Sequence, residues 1–501
     1  MTSIVDAFEA AARAAPGAPA LAARDTVWTY RELASAVDAA SRALSARRVR
    51  RGSRVALLLA NSPQYVALYY GVMAAGRVAV PLNTLERKRT LIQQIRHCGA
   101  SLLCGDPAHP EWAGLSTDAT HHGVGVMPVT RDVGPDAVTK FIDSLGASQR
   151  VDPLTEGGGD ELAAIFFTSG TTGRPKGVML SHGNLLSNAQ AIAGYLGLKS
   201  TDRGLCVLPL HFSYGNSMLN SHLLCGAQLA LEDSLAFPQI ILQRMQTEAI
   251  TGFAGVPATF SLFRARSSLE SFDLRSLRYI TQAGGPMPRA LVAWLREKLP
   301  TARLYLMYGQ TEATARLTYL PPERLHEKPG SVGIPIAGVE IDLLCEGRRA
   351  AHLEVGEVCA RGPNVMLGYW QDAEATARTI RNGWLHTGDL GHRDAEGFLY
   401  LDGRLSAVIK TGAFRVSPEE IEEVIAALPG VSEVGVTAIE DEILGHAIKA
   451  VVVAADSSLD ARSVQAHCRA NLAAYKVPKV VEFASELPHT GSGKLQRSRL
   501  G

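Results

Sequence analysis

Ten consecutive residues, TSGTTGRPKG (168–177), combine three glycines, four hydroxyl side chains, a proline and one lysine between two apolar runs. Glycine lets a backbone approach a ligand and turn its N–H groups inward, while hydroxyls and a lysine add neutral and charged donors. That set suits phosphate oxygens. The segment is a phosphate-loop candidate, with a flexible surface turn as the alternative that its composition leaves open. A Walker A loop is excluded, because Lys176 follows Pro175 and precedes Gly177. GSGKL at 491–495 fails as well, since leucine follows its lysine.

Other chemistry-bearing residues stand further along: Glu312 in YGQTEAT, Asp389 in HTGDLG, and Lys494 in a glycine-rich turn. A carboxylate is the ligand a hard cation prefers. A Thr-Glu pair also caps helices, an aspartate beside glycine also caps turns, and Lys494 near Arg497 and Arg499 also reads as a solvated tail.

Apolar β-rich runs alternate with amphipathic helical patterns, as in VALLLA, SPQYVALYYGVMAAG and VAVPLN, which signals α/β layering around buried sheets. Residues 106–160 read as loop-rich. A chain of 501 residues exceeds one ordinary core, and the pattern changes near residue 404. Beyond it a small α+β pattern follows, opened by Ser417-Pro418-Glu419-Glu420, a good helix N-terminus. The expectation is two domains, 1–404 and 405–501. With 50 basic and 49 acidic residues there is no electrostatic footprint for nucleic acid. No apolar run reaches the ~18–20 residues of a membrane span and no signal pattern opens the chain, so a cytoplasmic location is expected. Seven scattered cysteines without a C-x-x-C pair read as reduced core residues.

In order, TSGTTGRPKG (168–177), LPLHFSYG (208–215), AGGPMP (283–288), YGQTEAT (308–314), HTGDLG (386–391), GRLSAVIKTGAFRVSPEEIE (403–422) and PHTGSGKLQR (488–497) resemble the adenylate-forming superfamily of acyl- and aryl-CoA synthetases, peptide-synthetase adenylation domains and firefly luciferase. The likeness covers nearly the whole chain. It implies an α/β fold: a large N-terminal domain of packed mixed sheets and helices with a small mobile α+β C-terminal domain. The implied reaction joins a carboxylate to the α-phosphate of ATP, releasing pyrophosphate, and then passes the acyl group to a nucleophile with loss of AMP.

The resemblance also implies roles. Thr168, Ser169, Gly170, Thr171, Thr172 and Lys176 would hold the β- and γ-phosphates, Thr311 the α-phosphate, and Glu312 magnesium. Tyr308 and Gly309 would lie on one side of adenine, with Gly284, Gly285 and Pro286 on the other. Asp389, assisted by Arg404, would bind the ribose hydroxyls. Lys494 would bridge the attacking carboxylate and the phosphate. The small domain would then turn about Ser406 and bring Lys410 to the second half-reaction. His211, Phe212, Tyr214 and Asn216 would line the acid pocket.

The chain departs from the family pattern in three places. Ser406 stands where the hinge is usually Asp or Lys, Ala413 replaces a tunnel glycine of many CoA ligases, and His211-Phe212 inverts the usual Phe-His order. SYGNSMLN has no aspartate to bind an α-amine. The expected function is activation of an aryl or medium-chain acid, with CoA or the phosphopantetheine of a carrier protein as acceptor. Amide formation, nitrite activation to diazotise an aryl amine, and a non-catalytic nucleotide-binding relative are the alternatives.

Overall fold

The computed structural model describes residues 3–146, 158–168, 175–345, 347–404, 409–411, 414–416, 418–441, 445–455, 459–472, 476–489 and 495–500. By packing, the chain divides into two compact units. The larger comprises residues 1–329, 333–341 and 360–385, and the smaller residues 330–332, 342–359 and 386–501.

Two sheets organise the larger unit. In one, the strands run in the order Gly368–Tyr369, Lys176–Ser181, Leu162–Thr168, Val78–Pro81, Arg54–Leu58, Ala100–Gly105 and Gly125–Pro128. In the other they run from Thr318–Leu320 through Arg303–Tyr308, Tyr279–Gln282, Gly252–Gly255, Arg203–Cys206, Gln228–Leu231 and Pro19–Ala23 to Thr26–Thr29. Strand pairs such as 54–58 with 78–81 and 279–282 with 303–308 are parallel, and they read as continuous apolar runs because both faces are covered.

The helix Pro63–Ala74 lies in the core. Ser62 caps it, proline opens it, and every residue from Pro63 to Met73 is buried. A helix apolar all round has no solvent face, and its tyrosine hydroxyls therefore need partners: Tyr69 and Tyr70 donate to Asn216 and Asn220. Helix His182–Leu196 starts at a Ser181–Asn184 capping box and stops at Gly197, whose φ is 58°.

Residues 106–146 are more ordered than their sequence pattern suggested. They carry helices Trp112–His121 and Ala137–Ser144 around the strand Gly125–Pro128. Each helix is short and buries only two or three side chains, Trp112, Leu115 and Ala119 in one and Ala137 and Phe141 in the other, too weak a period to read locally.

The smaller unit holds a three-stranded sheet of Val431–Asp441, Gly445–Ala454 and Val480–Phe483, with helices Pro418–Ala426 and Ala461–Asn471. Pro418, Ile421 and Ile425 face its core at helical spacing, beside Val436, Ile448 and Val464. All seven cysteines are free. Burial pushes the Cys98 thiol up to about 11, and Cys104 and Cys206 to about 12, so these three stay protonated core residues. Among the described residues no helix is long and apolar enough to cross a membrane.

Candidate active site

The first residue and the lysine of the phosphate-loop candidate lie on two paired strands. Strands Leu162–Thr168 and Lys176–Ser181 pair antiparallel with Thr168 opposite Lys176, so the ladder itself brings these two residues together. Ser169, Gly170, Thr171 and Thr172 lie outside the described residues. On the other side of Lys176–Ser181 runs the two-residue strand Gly368–Tyr369, with Tyr369 opposite Val178. Lys176 Nζ stands 4.7 Å from the centre of the Tyr369 ring, and the Tyr369 hydroxyl donates to Glu312 Oε1 at 2.8 Å. Burial, with the Glu312 charge, pushes the Tyr369 hydroxyl well above its usual range, so it remains a donor. Tyr369 joins the lysine of one motif to the glutamate of another, and no motif in the sequence had singled it out.

Glu312 is presented by a tight turn after strand Arg303–Tyr308. Its carbonyl accepts from the Met366 amide at 2.8 Å, and Thr314 Oγ1 donates to the Asn364 carbonyl at 2.6 Å. Thr314 and Ala315 take positive φ, 60° and 131°, which is costly for residues bearing a Cβ and is sustained by these contacts. Gly309 makes the turn possible: a Cβ there would stand 2.0 Å from the Ala315 carbonyl oxygen, a backbone atom that cannot step aside. Gly309→Ala is therefore expected to destabilise the fold by about 3 kcal/mol. An unchanged thermal melting midpoint would refute this reading of the turn.

Other expected residues of this unit stand just past the strand paired with Arg303–Tyr308 and around the start of helix Ser213–Leu224. Tyr308 is buried at the end of its strand. Gly284, with φ 89°, turns the chain just after strand Tyr279–Gln282, and Gln282 Nε2 donates to the Gly285 carbonyl at 2.8 Å, shaping the bend before Pro286. Ser213 and Thr311 hydroxyls lie 3.1 Å apart, tying the start of helix Ser213–Leu224 to the Thr-Glu pair. Tyr214 and Thr281 hydroxyls lie 3.0 Å apart. Asn216 Oδ1 accepts from Tyr69 and Asn220, while its Nδ2 is buried without a hydrogen bond.

His211 is buried with its ring 4.4 Å from that of Phe212, and its Nε2 makes no hydrogen bond. Burial lowers its pKa from 6.5 to about 3, so it is neutral at working pH. His222, between the Met218 carbonyl and the Tyr279 hydroxyl, is lowered to about 4 by the same cause. A histidine kept neutral in the fold takes its proton first in the unfolded chain. Stability contributed by this pair is complete above the ordinary pKa of 6.5 and is lost as pH falls towards 3 to 4. Denaturant titration should show a loss of about 1.4 kcal/mol per pH unit per histidine across that window. A double variant, His211→Gln with His222→Gln, should show a flatter profile, and an identical profile would contradict the assignment.

Asp389 and Arg404 belong to the smaller unit. They face each other across the antiparallel pair Trp384–Arg393 and Leu399–Arg404, and Arg404 Nε donates to Asp389 Oδ1 at 2.8 Å. The Asp389 amide donates to Thr387 Oγ1, whose hydroxyl in turn donates to the Val358 carbonyl. Glu357 braces the same strand through His386 Nδ1 at 2.7 Å and the Gly388 amide at 3.3 Å. Lys410 lies on the strand Ile409–Thr411, opposite Arg415. Ser406 and Lys494 lie outside the described residues.

The family model of the AMP-binding enzyme matches residues 8–370, and that of the AMP-binding enzyme C-terminal domain matches residues 420–494. A feruloyl-CoA synthase of Amycolatopsis sp is 34% identical over 98% of this chain and 96% of its own length. A 2-succinylbenzoate–CoA ligase of Bacillus pumilus is 34% identical over 97% and 95%. The structure of o-succinylbenzoate CoA synthetase from Bacillus subtilis, solved with its acyl-adenylate intermediate, superposes with a TM-score of 0.87 at 30% identity, covering 99% of this chain and 97% of that one. A hairpin that pairs Thr168 with Lys176, a braced Glu312 and full-length likeness to these proteins lead to one conclusion: the chain belongs to the AMP-binding enzyme family, within the adenylate-forming superfamily of enzymes.

Proposed function

We propose that the protein activates a carboxylic acid as its acyl-adenylate and transfers the acyl group to the thiol of CoA. The observation that carries this reading is the Lys176–Tyr369–Glu312 constellation, in which one tyrosine meets a cation and orients a carboxylate. Negative charge grows on the phosphates during in-line displacement, and donors placed in advance stabilise it without reorganising. Thr168, Ser169, Gly170, Thr171, Thr172 and Lys176 hold the β- and γ-phosphates that leave as pyrophosphate. Thr311 bonds the α-phosphate, and Lys494 bridges that phosphate and the incoming carboxylate.

Glu312 would hold magnesium, because the Tyr369 hydroxyl takes one carboxylate oxygen and leaves the other for a hard cation. When bound, the ion neutralises charge on the phosphates. Tyr308 and Gly309 with Gly284, Gly285 and Pro286 enclose adenine, and Asp389, steadied by Arg404, accepts from the ribose hydroxyls. We keep residues 405–501 as the piece that turns about Ser406 and presents Lys410 for thiol transfer. Retained Lys176, Glu312, Asp389, Arg404 and Lys494 speak against a non-catalytic relative.

The acid lies along His211, Phe212, Tyr214 and Asn216. Feruloyl and succinylbenzoyl groups in the relatives' names support an aryl acid. A panel of aryl and aliphatic acids with ATP and magnesium, analysed by mass spectrometry with CoA, a phosphopantetheinylated carrier protein, amines or nitrite added singly, tests the reading. The expected products are AMP, pyrophosphate and an acyl-CoA thioester. Thioester on the carrier protein alone, or amide or diazo product alone, would replace CoA as acceptor, and release of ADP would overturn the mechanism.

A further inference from the structure

Arg316 follows Glu312 by four positions and is 3% exposed. Burying a guanidinium is costly unless a carboxylate pairs with it. Arg244, buried to a similar degree, has Glu232 and Glu248 against it. Arg316 makes no ion pair among the described residues. Its Nε points at Met307 Sδ at 3.2 Å, one Nη reaches only the Ala315 carbonyl at 3.4 Å, and its plane lies 4.2 Å from the centre of the Tyr214 ring. Tyr195, a phenol that burial keeps neutral, also lies against it. The position is set by the backbone, since Asn188 and Asn364 both donate to the Arg316 carbonyl.

The guanidinium lines a narrow cleft with Tyr214, Ser217, Ser221 and Thr281 among its walls and free room of about 10 Å³, enough for one water at most. Tyr214 and Thr281, joined at 3.0 Å, form one side, and Ser213 next to Tyr214 meets Thr311 at 3.1 Å. One wall of the cleft is thus tied, through Ser213 beside Tyr214, to the Thr-Glu pair at which the acid is proposed to react. The positive charge has hydroxyls around it and, among the described residues, no ion-pair partner.

We infer that the acid this enzyme activates carries a second carboxylate at its far end, and that Arg316 is the specificity residue that binds it. The inference rests on the acid-ligase reading above. A dicarboxylic acid neutralises the buried charge, displaces the water and forms a charge-assisted pair. An otherwise identical monoacid leaves the guanidinium unpaired, and sites built around buried polar groups reject analogues that lack the matching group.

The test measures pyrophosphate release for matched pairs, adipate against hexanoate and terephthalate against benzoate, extended to C4–C12 chains, with wild type, Arg316→Met and Arg316→Lys. Wild type is expected to favour the diacid of at least one pair by about 10²-fold or more in kcat/KM. Arg316→Met should reverse that order, and Arg316→Lys should keep a reduced preference. ATP binding by Arg316→Met controls for folding, and the ratio within a pair would not move if the arginine were only structural. Preference of wild type for the monoacids throughout, or an unchanged ratio in Arg316→Met, would overturn the inference alone. Pyrophosphate release with no acid would overturn the ligase reading and the inference with it.

Discussion

Replacing Lys494 by alanine is expected to slow acid-dependent pyrophosphate release by about 10²–10³-fold while ATP still binds, the loss typical of removing one donor aimed at charge that develops in the transition state. Lys494 stands in the glycine-rich segment TGSGKL, and glycines let a backbone approach a ligand closely. Its charge serves two partners at once, drawing the carboxylate to the α-phosphate and stabilising the oxygens that become more negative. The effect belongs to one half-reaction. Supplied with a synthetic acyl-adenylate and CoA, Lys494→Ala should form thioester at close to the wild-type rate, and Lys410→Ala should show the opposite pattern. Equal losses in both halves for Lys494→Ala would remove the division of labour between the two lysines.

Glu312→Gln should cost about 10²–10³-fold in kcat for adenylation and shift the magnesium dependence to higher concentration. Glutamine keeps the size of the side chain and an oxygen that can accept from Tyr369, so the turn and its contacts remain while the anionic ligand is gone. Tyr369→Phe tests the brace separately. It leaves the charge of Glu312 but frees the carboxylate to rotate, and groups that orient a metal ligand typically matter by about 10- to 100-fold. The expected order is wild type, then Tyr369→Phe, then Glu312→Gln, read from initial rates across a magnesium titration. A Tyr369→Phe variant slower than Glu312→Gln would show that the hydroxyl acts on something other than Glu312.

The candidate residues were legible where their signals are local. The hydroxyl-glycine-lysine run marks a phosphate-loop candidate by composition, and Ser-Pro-Glu-Glu announces a helix that duly begins at Pro418. What stayed hidden depends on partners distant in sequence. Tyr369 matters because a two-residue strand pairs with Lys176–Ser181, some 190 positions upstream, and so short a strand has no periodicity to detect. Arg316 looks like any surface arginine until packing buries it with no ion pair among the described residues. The helices at 112–121 and 137–144 escaped for a different reason, since each shows the core too few side chains to outweigh the loop-forming residues around it. Division by packing also places the hairpin that carries Asp389 and Arg404 with the C-terminal residues, whereas a change in composition is visible only near residue 404. A moving piece and a packing unit need not share a boundary.

The central claim is that the acid attacks the α-phosphate, and oxygen labelling addresses it directly. If the carboxylate oxygen becomes the bridge to phosphorus and the thiol later displaces AMP at the acyl carbon, that oxygen leaves with AMP. With both carboxylate oxygens of the acid labelled as ¹⁸O, and with ATP, magnesium and CoA supplied, mass spectrometry should find one ¹⁸O in each AMP formed, one retained in the thioester carbonyl and none in pyrophosphate. Label in inorganic phosphate, with ADP as the nucleotide product, would place the attack at the γ-phosphate and contradict the account.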